Sequence, residues 1–288
     1  MDRRQFVASV AALPFLQQRP RSNPPLRVAS MDWALAETMI ALGHDPIAIV
    51  AAADWNRYVV EPPLPRGVAD LGLHPEINFE LLATLAPDLI LTSPFVQDLE
   101  PVLQRIAPVQ RISIFEKSAV PLAQPREVTR VLGDSLGRTD AARSLLATAD
   151  QAFDGYRQRV RALHPLPVLL VNFIDARHVR VYGGAGLYQN VLDRIGITNA
   201  WTRETNYWGY STVGIETLAT DTDLRLIAFE PVPPDAQSTL ARSPLWSHLP
   251  FVRAGHVSVL PSVLMFGAIP SALRFARLLV GHLERLSR

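Results

Sequence analysis

The chain is 288 residues long and 48% hydrophobic, which is enough material for two modest cores. Its formal charge is +1 and its only lysine is Lys117, so nothing favours a polyanionic or nucleic-acid partner. The absence of cysteine excludes disulfides, thiolate metal sites, iron–sulfur clusters and a lipid-modified N-terminal cysteine.

Residues 1–25 read as a signal region. Arg3 and Arg4 precede Gln5-Phe6 and an apolar run over 7–16 that is too short to span a membrane. Paired arginines followed by x-Phe resemble a twin-arginine export signal, which would place the mature protein in the periplasm. A buried first helix after a chance arginine pair is the alternative.

Residues 26–138 read as an alternating β/α lobe. Strands are predicted at 26–29, 47–51, 89–91 and 111–114. Helices are predicted at 33–42, closed by Gly43, at 79–85 with Asn78 as N-cap, and at 99–106. Residues 52–66 read as an aromatic, proline-rich loop holding Trp55, Tyr58 and Pro62-Pro63-Leu64-Pro65. Alternation of this kind argues for a mainly parallel sheet with helices on both faces.

Residues 139–163 contain no proline and a single glycine, Gly155. Apolar or aromatic residues at 142, 145, 146, 149, 152, 153, 156, 160 and 163 keep helical spacing. Such a helix, with Thr139 as its N-cap, spans roughly 35 Å. Its place in the middle of the chain suggests an interlobe strut; an ordinary long surface helix is the plainer reading.

Residues 164–288 read as a second lobe. Strands are predicted at 168–173, 178–182, 224–229 and 256–260, and helices from 187, over 215–220 and over 271–286. An internal repeat links the halves: Glu80-Leu81-Leu82-Ala83-Thr84 recurs as Glu216-Thr217-Leu218-Ala219-Thr220, each followed by an aspartate and an apolar run. Each half thus carries a short helix feeding a buried strand. The fold class is α/β: two similar α/β lobes bridged by one long α-helix, with a cleft between them.

No residue is assigned a catalytic role. The chain has no H-E-x-x-H, no G-x-S-x-G and no phosphate loop ending in G-K-[ST]. Gly183-Gly184-Ala185-Gly186 stands where a dinucleotide loop would, but without the G-x-G-x-x-G spacing it reads as a tight turn. The seven histidines are scattered, so no metal ligand from the protein is expected. What remains is a set of aromatics in loops at predicted strand ends: Trp33, Trp55, Tyr58, Phe95, Trp201, Tyr207, Trp208 and Tyr210. Ligands of α/β folds bind at the carboxyl ends of strands, so these rings are predicted to line the cleft.

Several longer runs carry a family resemblance. They are Val60-Glu61-Pro62-Pro63-Leu64-Pro65, Asp70-Leu71-Gly72-Leu73, Ile174-Asp175-Ala176-Arg177-His178, Asn199-Ala200-Trp201, Glu204-Thr205-Asn206-Tyr207-Trp208-Gly209 and Pro250-Phe251-Val252-Arg253-Ala254-Gly255. With them, nearly the whole chain after the signal resembles the cluster-A (class III) substrate-binding proteins of ABC importers. This is the helical-backbone metal receptor type, and the likeness to its periplasmic ferric-hydroxamate siderophore binders is close.

The resemblance implies a binding protein, not an enzyme, working as a monomer that passes a ferric siderophore to an inner-membrane ABC permease. Iron is then held by the siderophore, and no other cofactor is expected. Haem or a corrinoid in the same fold, or an exported enzyme acting on iron chelates, are the alternatives. The resemblance places Trp33, Tyr58, Trp201 and Trp208 around the ligand, and Tyr210 joins them as a ligand-binding candidate from its loop position. His74 stands where the family has an arginine reaching the chelate, Phe95 where it has a tyrosine, and Leu264-Met265-Phe266 where it has an aromatic trio. A histidine there would be pH-sensitive where an arginine is not. Glu100 and Glu216 are the implied permease-docking carboxylates, one on each lobe. Glu80 is the counterpart of Glu216 in the repeat.

Overall fold

The computed structural model describes residues 25–73, 75–116, 120–220 and 223–288. Apart from Pro25, the predicted signal region lies outside them, as does His74.

The first sheet is parallel throughout and runs in the order β3-β2-β1-β4-β5. Its elements are β1 (Val28–Ser30), α1 (Trp33–Ala41), β2 (Ala48–Ile49), α2 (Trp55–Tyr58), β3 (Ala69–Asp70), α3 (Phe79–Thr84), β4 (Leu89–Thr92), α4 (Glu100–Leu103) and β5 (Val109–Arg111). Asn78 caps α3 as predicted, accepting the Leu81 N–H at 2.8 Å. The stretch read as a loop at 52–66 contains α2, and Trp55 within it is fully buried. Its indole donates to the Pro62 carbonyl at 2.9 Å, so Trp55 is a core residue that ties down the proline-rich segment.

Next comes α5 (Ala123–Ser135), a helix not among the predicted elements. Pro125 lies in its first turn, where a missing N–H costs nothing. Near its other end, a Cβ on Gly133 would overlap Ala142 of the following helix. Proline and glycine here mark a helix start and a close crossing, not a loop.

The predicted connector is α6 (Thr139–Leu163). Arg138, not Thr139, occupies the cap position, and no side chain caps the helix. Ala142 packs into the first lobe's core, Phe153 and Val160 into the second's, and Leu145 touches both.

The second sheet runs β10-β9-β6-β7-β8. Its elements are β6 (Val168–Phe173), β7 (His178–Tyr182), α7 (Leu187–Ile195), β8 (Tyr210–Gly214), β9 (Arg225–Phe229), α8 (Pro234–Leu240), α9 (Pro244–His248), α10 (Pro250–Arg253), β10 (Val257–Leu260) and α11 (Ile269–Leu286). The β10, β9 and β6 strands are parallel, whereas β7 and β8 join them antiparallel. The second copy of the repeat is a single 3-10 turn, Ile215–Leu218, and not the predicted helix. Gly214 stands where Asn78 stands in the first copy, so no side chain receives the opening N–H groups.

The back of the molecule is a ring of four helices: α1 packs against α5 and α11, and α6 packs against the same two. Phe275 and Leu279 of α11 are fully buried in the largest core. No helix among the described residues is long and apolar enough to cross a membrane.

Candidate functional site

The carboxyl ends of the first sheet's strands open toward the second lobe. Met31, Asp32 and Trp33 follow β1, Val50 follows β2, Phe95 follows β4 and Ile114 follows β5. From the second lobe come Trp208, Tyr210 at the start of β8, and Leu264 and Phe266 in the segment between β10 and α11. Together they line a cavity of about 300 Å3 whose walls are mostly apolar. That is within the size range of small-molecule sites.

Trp33 is fixed from three sides. Its indole N–H donates to the Val50 carbonyl at 2.8 Å. Tyr58 stacks on it at 6.1 Å, and Trp55 meets it edge-on at 6.4 Å. Tyr58 therefore backs the wall and is not itself a lining residue. Phe95 stands at the rim, 68% exposed.

The opposite wall depends on Asn206. Its side-chain oxygen accepts the N–H groups of Trp208 and Tyr210 at 3.0 and 3.2 Å, which turns the chain sharply before β8. Gly209, at φ +80°, lies so close to Gly186 that a Cβ would overlap it. Gly183 also donates its N–H to the Gly209 carbonyl at 3.0 Å. The Gly183–Gly186 turn thus seats the Trp208 loop. Trp208 and Tyr210 in turn face Phe266, with ring centroids 5.8 and 6.4 Å away. Across the cleft, Phe115 of the first lobe meets Tyr207 and Trp208 of the second at 4.8 and 5.7 Å.

The only carboxyl group among the described lining residues is that of Asp32. It caps α1, accepting the Ala34 and Leu35 N–H groups at 2.8 and 3.3 Å. Burial pushes its carboxyl above the usual range, while the hydrogen bonds from the Leu35 and Ala34 N–H groups pull it back.

The structure therefore brings together Trp33, Phe95, Trp208, Tyr210 and Phe266, with Tyr58 supporting them. Beyond Trp55 and Tyr58, three more assignments are corrected. Trp201 is 9% exposed and packs in the second lobe's core beside Leu169 and Phe251, against the Gly183 turn. It does not line the cavity, because its backbone is pulled inward by Asn199, whose side chain accepts the Trp201 N–H at 2.9 Å. Met265 does not line this cavity but a narrow recess beside it, with Ile114, Phe115 and Phe266; its sulfur accepts the Tyr182 hydroxyl at 3.1 Å and anchors the loop carrying Phe266. Glu100 is buried, bonded by the Thr92 hydroxyl at 2.9 Å and by Arg111 at 2.8 Å, so its carboxylate is not offered at the surface. Glu216 and Glu80 are both exposed.

Met31, Asp32, Val50 and Ile114 were missed as lining residues. Each directly follows a strand of the first sheet or lies within three residues of its end, and that position was the available signal. Asp175, at the turn between β6 and β7, accepts the Arg177 and His178 N–H groups and the His178 ring nitrogen, so this charged cluster is a turn. No group of three metal-ligating side chains occurs among the described residues.

Residues 28–264 match the model of the periplasmic binding protein family. The chain is 34% identical to the iron(3+)-hydroxamate-binding protein FhuD of Escherichia coli K12 over 283 residues, covering 97% of this chain and 95% of that one. It is similar to the Fe3+–Desferal-bound siderophore-binding protein FhuD of Vibrio cholerae, with a TM-score of 0.84 and 25% identity over 90% of this chain and 98% of that one. It also shares the fold of FhuD2 of Staphylococcus aureus, with a TM-score of 0.73 and 18% identity over 92% and 100%. The two-lobed α/β fold, the long bridging helix and the full-length match agree: this chain belongs to the periplasmic binding protein family.

Proposed function

We propose that the protein binds a ferric siderophore in the cleft and delivers it to an ABC importer. The observation that carries this reading is the aromatic cavity between the lobes, walled by Trp33 on one side and Trp208, Tyr210 and Phe266 on the other. Rings of this kind hold a bulky chelate by area and shape. Iron stays within the chelate as cargo, and the protein needs neither a resident cofactor nor catalytic groups. The iron(3+)-hydroxamate and Fe3+–Desferal binders among its relatives favour a hydroxamate ligand.

Titrating tryptophan fluorescence with ferric hydroxamates, catecholates and carboxylates, haem and cobalamin tests this. Saturable quenching by a ferric siderophore is the expected result, and a response to haem or cobalamin alone would reject it. His74→Arg addresses selectivity: if His74 faces the chelate, hydroxamate affinity rises and loses its dependence on pH near neutrality.

The paired arginines favour periplasmic delivery through the twin-arginine pathway. Arg3→Lys with Arg4→Lys should hold the protein in the cytoplasm, and unchanged export would reject that route. In delivery the protein acts as a monomer, and exposed Glu216 is the second lobe's candidate contact for the permease.

A further inference from the structure

By sequence α11 belongs to the second lobe, yet the first lobe grips it twice. Glu37 of α1 is fully buried. Its Oε1 accepts the N–H groups of Ala268 and Ser271 at 2.6 and 3.4 Å, and its Oε2 accepts the Ser271 hydroxyl at 2.5 Å. The helix has no side-chain cap of its own at Ala268, so Glu37 satisfies donors that would otherwise be orphaned inside the protein. Further along, Arg274 donates to Glu61 at 2.6 Å, and Arg277 reaches both Glu61 oxygens at 2.8 and 2.6 Å.

These grips lie directly behind the cavity. Glu37 is one helical turn from Trp33, on the same side of α1. The residues it holds directly follow Leu264 and Phe266, the opposite wall. A Cβ on Gly267 would overlap Ser271 and press on the Glu37 carboxyl, so the backbone lies flush against the acid. Arg274, held by Glu61, also donates to the Ser262 carbonyl at 2.9 Å, at the start of the same segment. A leucine in place of Glu37 would pack the two helices without desolvating a carboxyl. What it could not do is fix the N-terminus of α11, and with it the wall.

We propose that Glu37 and Glu61 are positioning residues of the cleft: from the first lobe they hold α11 so that the Leu264–Phe266 wall is set opposite Trp33 before ligand arrives. The proposal rests on the cleft being the chelate site. A preset wall raises affinity because no binding energy is spent on ordering it.

The test uses ferric Desferal as probe, with tryptophan quenching for affinity and small-angle scattering for shape. Glu37→Leu and Glu61→Ala should each bind about tenfold more weakly. Both should be expanded without ligand and compact on binding, which the wild type does not. Glu37→Gln should behave as wild type, since its amide accepts the two N–H groups and donates to Ser271. Wild-type affinity and scattering in both Glu37→Leu and Glu61→Ala would overturn the proposal. If Glu37→Leu does not fold, Ser271→Ala takes its place with the same expected direction. If the wild type ignores the chelate, the reading of the cleft fails, and scattering of the unliganded variants alone decides whether the clamp exists.

Discussion

The rings of Trp33 and Tyr58 lie 6.1 Å apart with their planes 26° from parallel, one lining the cavity and the other behind it. Tyr58 therefore acts on the ligand through Trp33. Aromatic pairs contribute about 0.5–1.5 kcal/mol beyond burial, so Tyr58→Ala should weaken chelate binding by roughly twofold to tenfold. Calorimetric titration checks this, and an unchanged Kd would show that Trp33 needs no such support.

Trp208 and Trp201 should separate binding from stability. Trp208→Ala removes a lining ring and should lower affinity about tenfold with little change in Tm. Trp201→Ala empties a core position and should cost about 3–5 kcal/mol of stability, while the folded fraction still binds. Urea melts run beside fluorescence titrations decide between these outcomes. A binding defect confined to the Trp201 variant would reverse the assignment.

Glu37 gives the fold a pH dependence with a defined sign. Burial, opposed by the bonds from Ser271 and Ala268, lifts its carboxyl from an ordinary 4.5 to about 8. The folded state thus holds a proton that the unfolded chain releases. Its contribution is complete below about pH 4.5 and is lost as pH rises through about 8, at no more than about 1.4 kcal/mol per pH unit. His44 and His282, held below their ordinary 6.5 chiefly by burial, act with the opposite sign below that pH. The clean window is therefore pH 6.5 to 8. There the wild type should lose stability relative to Glu37→Gln, and parallel curves for the two would refute the effect.

The two carboxylates once paired as docking residues should part company. Glu100→Ala strips a buried bond from Thr92 and a half-exposed pair with Arg111, and should cost about 1–2 kcal/mol. Glu216→Ala should leave stability within about 0.5 kcal/mol. Its expected effect is on siderophore uptake in cells, and normal uptake would remove it from the docking surface.

Regular elements were legible where periodicity was long or uninterrupted. The 139–163 helix and the strands at 168–173 and 178–182 stand where the pattern put them. The α5 helix was hidden because Pro125 and Gly133 resemble breaks until the close approach of Ala142 is known. The repeat promised two helices and produced one, because Asn78 caps the first copy and Gly214 offers the second nothing. Among the aromatics, loop position alone did not distinguish Trp208 from Trp201. The difference lies in which loop Asn206 turns toward the cleft and which Asn199 turns inward. Glu37 was invisible as a bridge, since its partners are more than 230 residues away in the chain.

The helix ring at the back has a consequence for how this protein can be cut. The span shared with the family ends at residue 264, just before α11 begins. A chain trimmed there would keep both sheets and most of the cavity's lining, and would look complete on a sequence map. It would lose Phe275 and Leu279 from the largest core, the partners of Glu37 and Glu61, and the Glu284 carboxylate that Arg159 of α6 holds at 2.6 Å. Its two halves would be left joined only by α6, the Leu122–Asn190 bond behind it and the ring contacts of Phe115 with Tyr207 and Trp208 across the cleft. The residues after 264 are therefore the keystone of the joint, set last by the chain and bearing on everything before them.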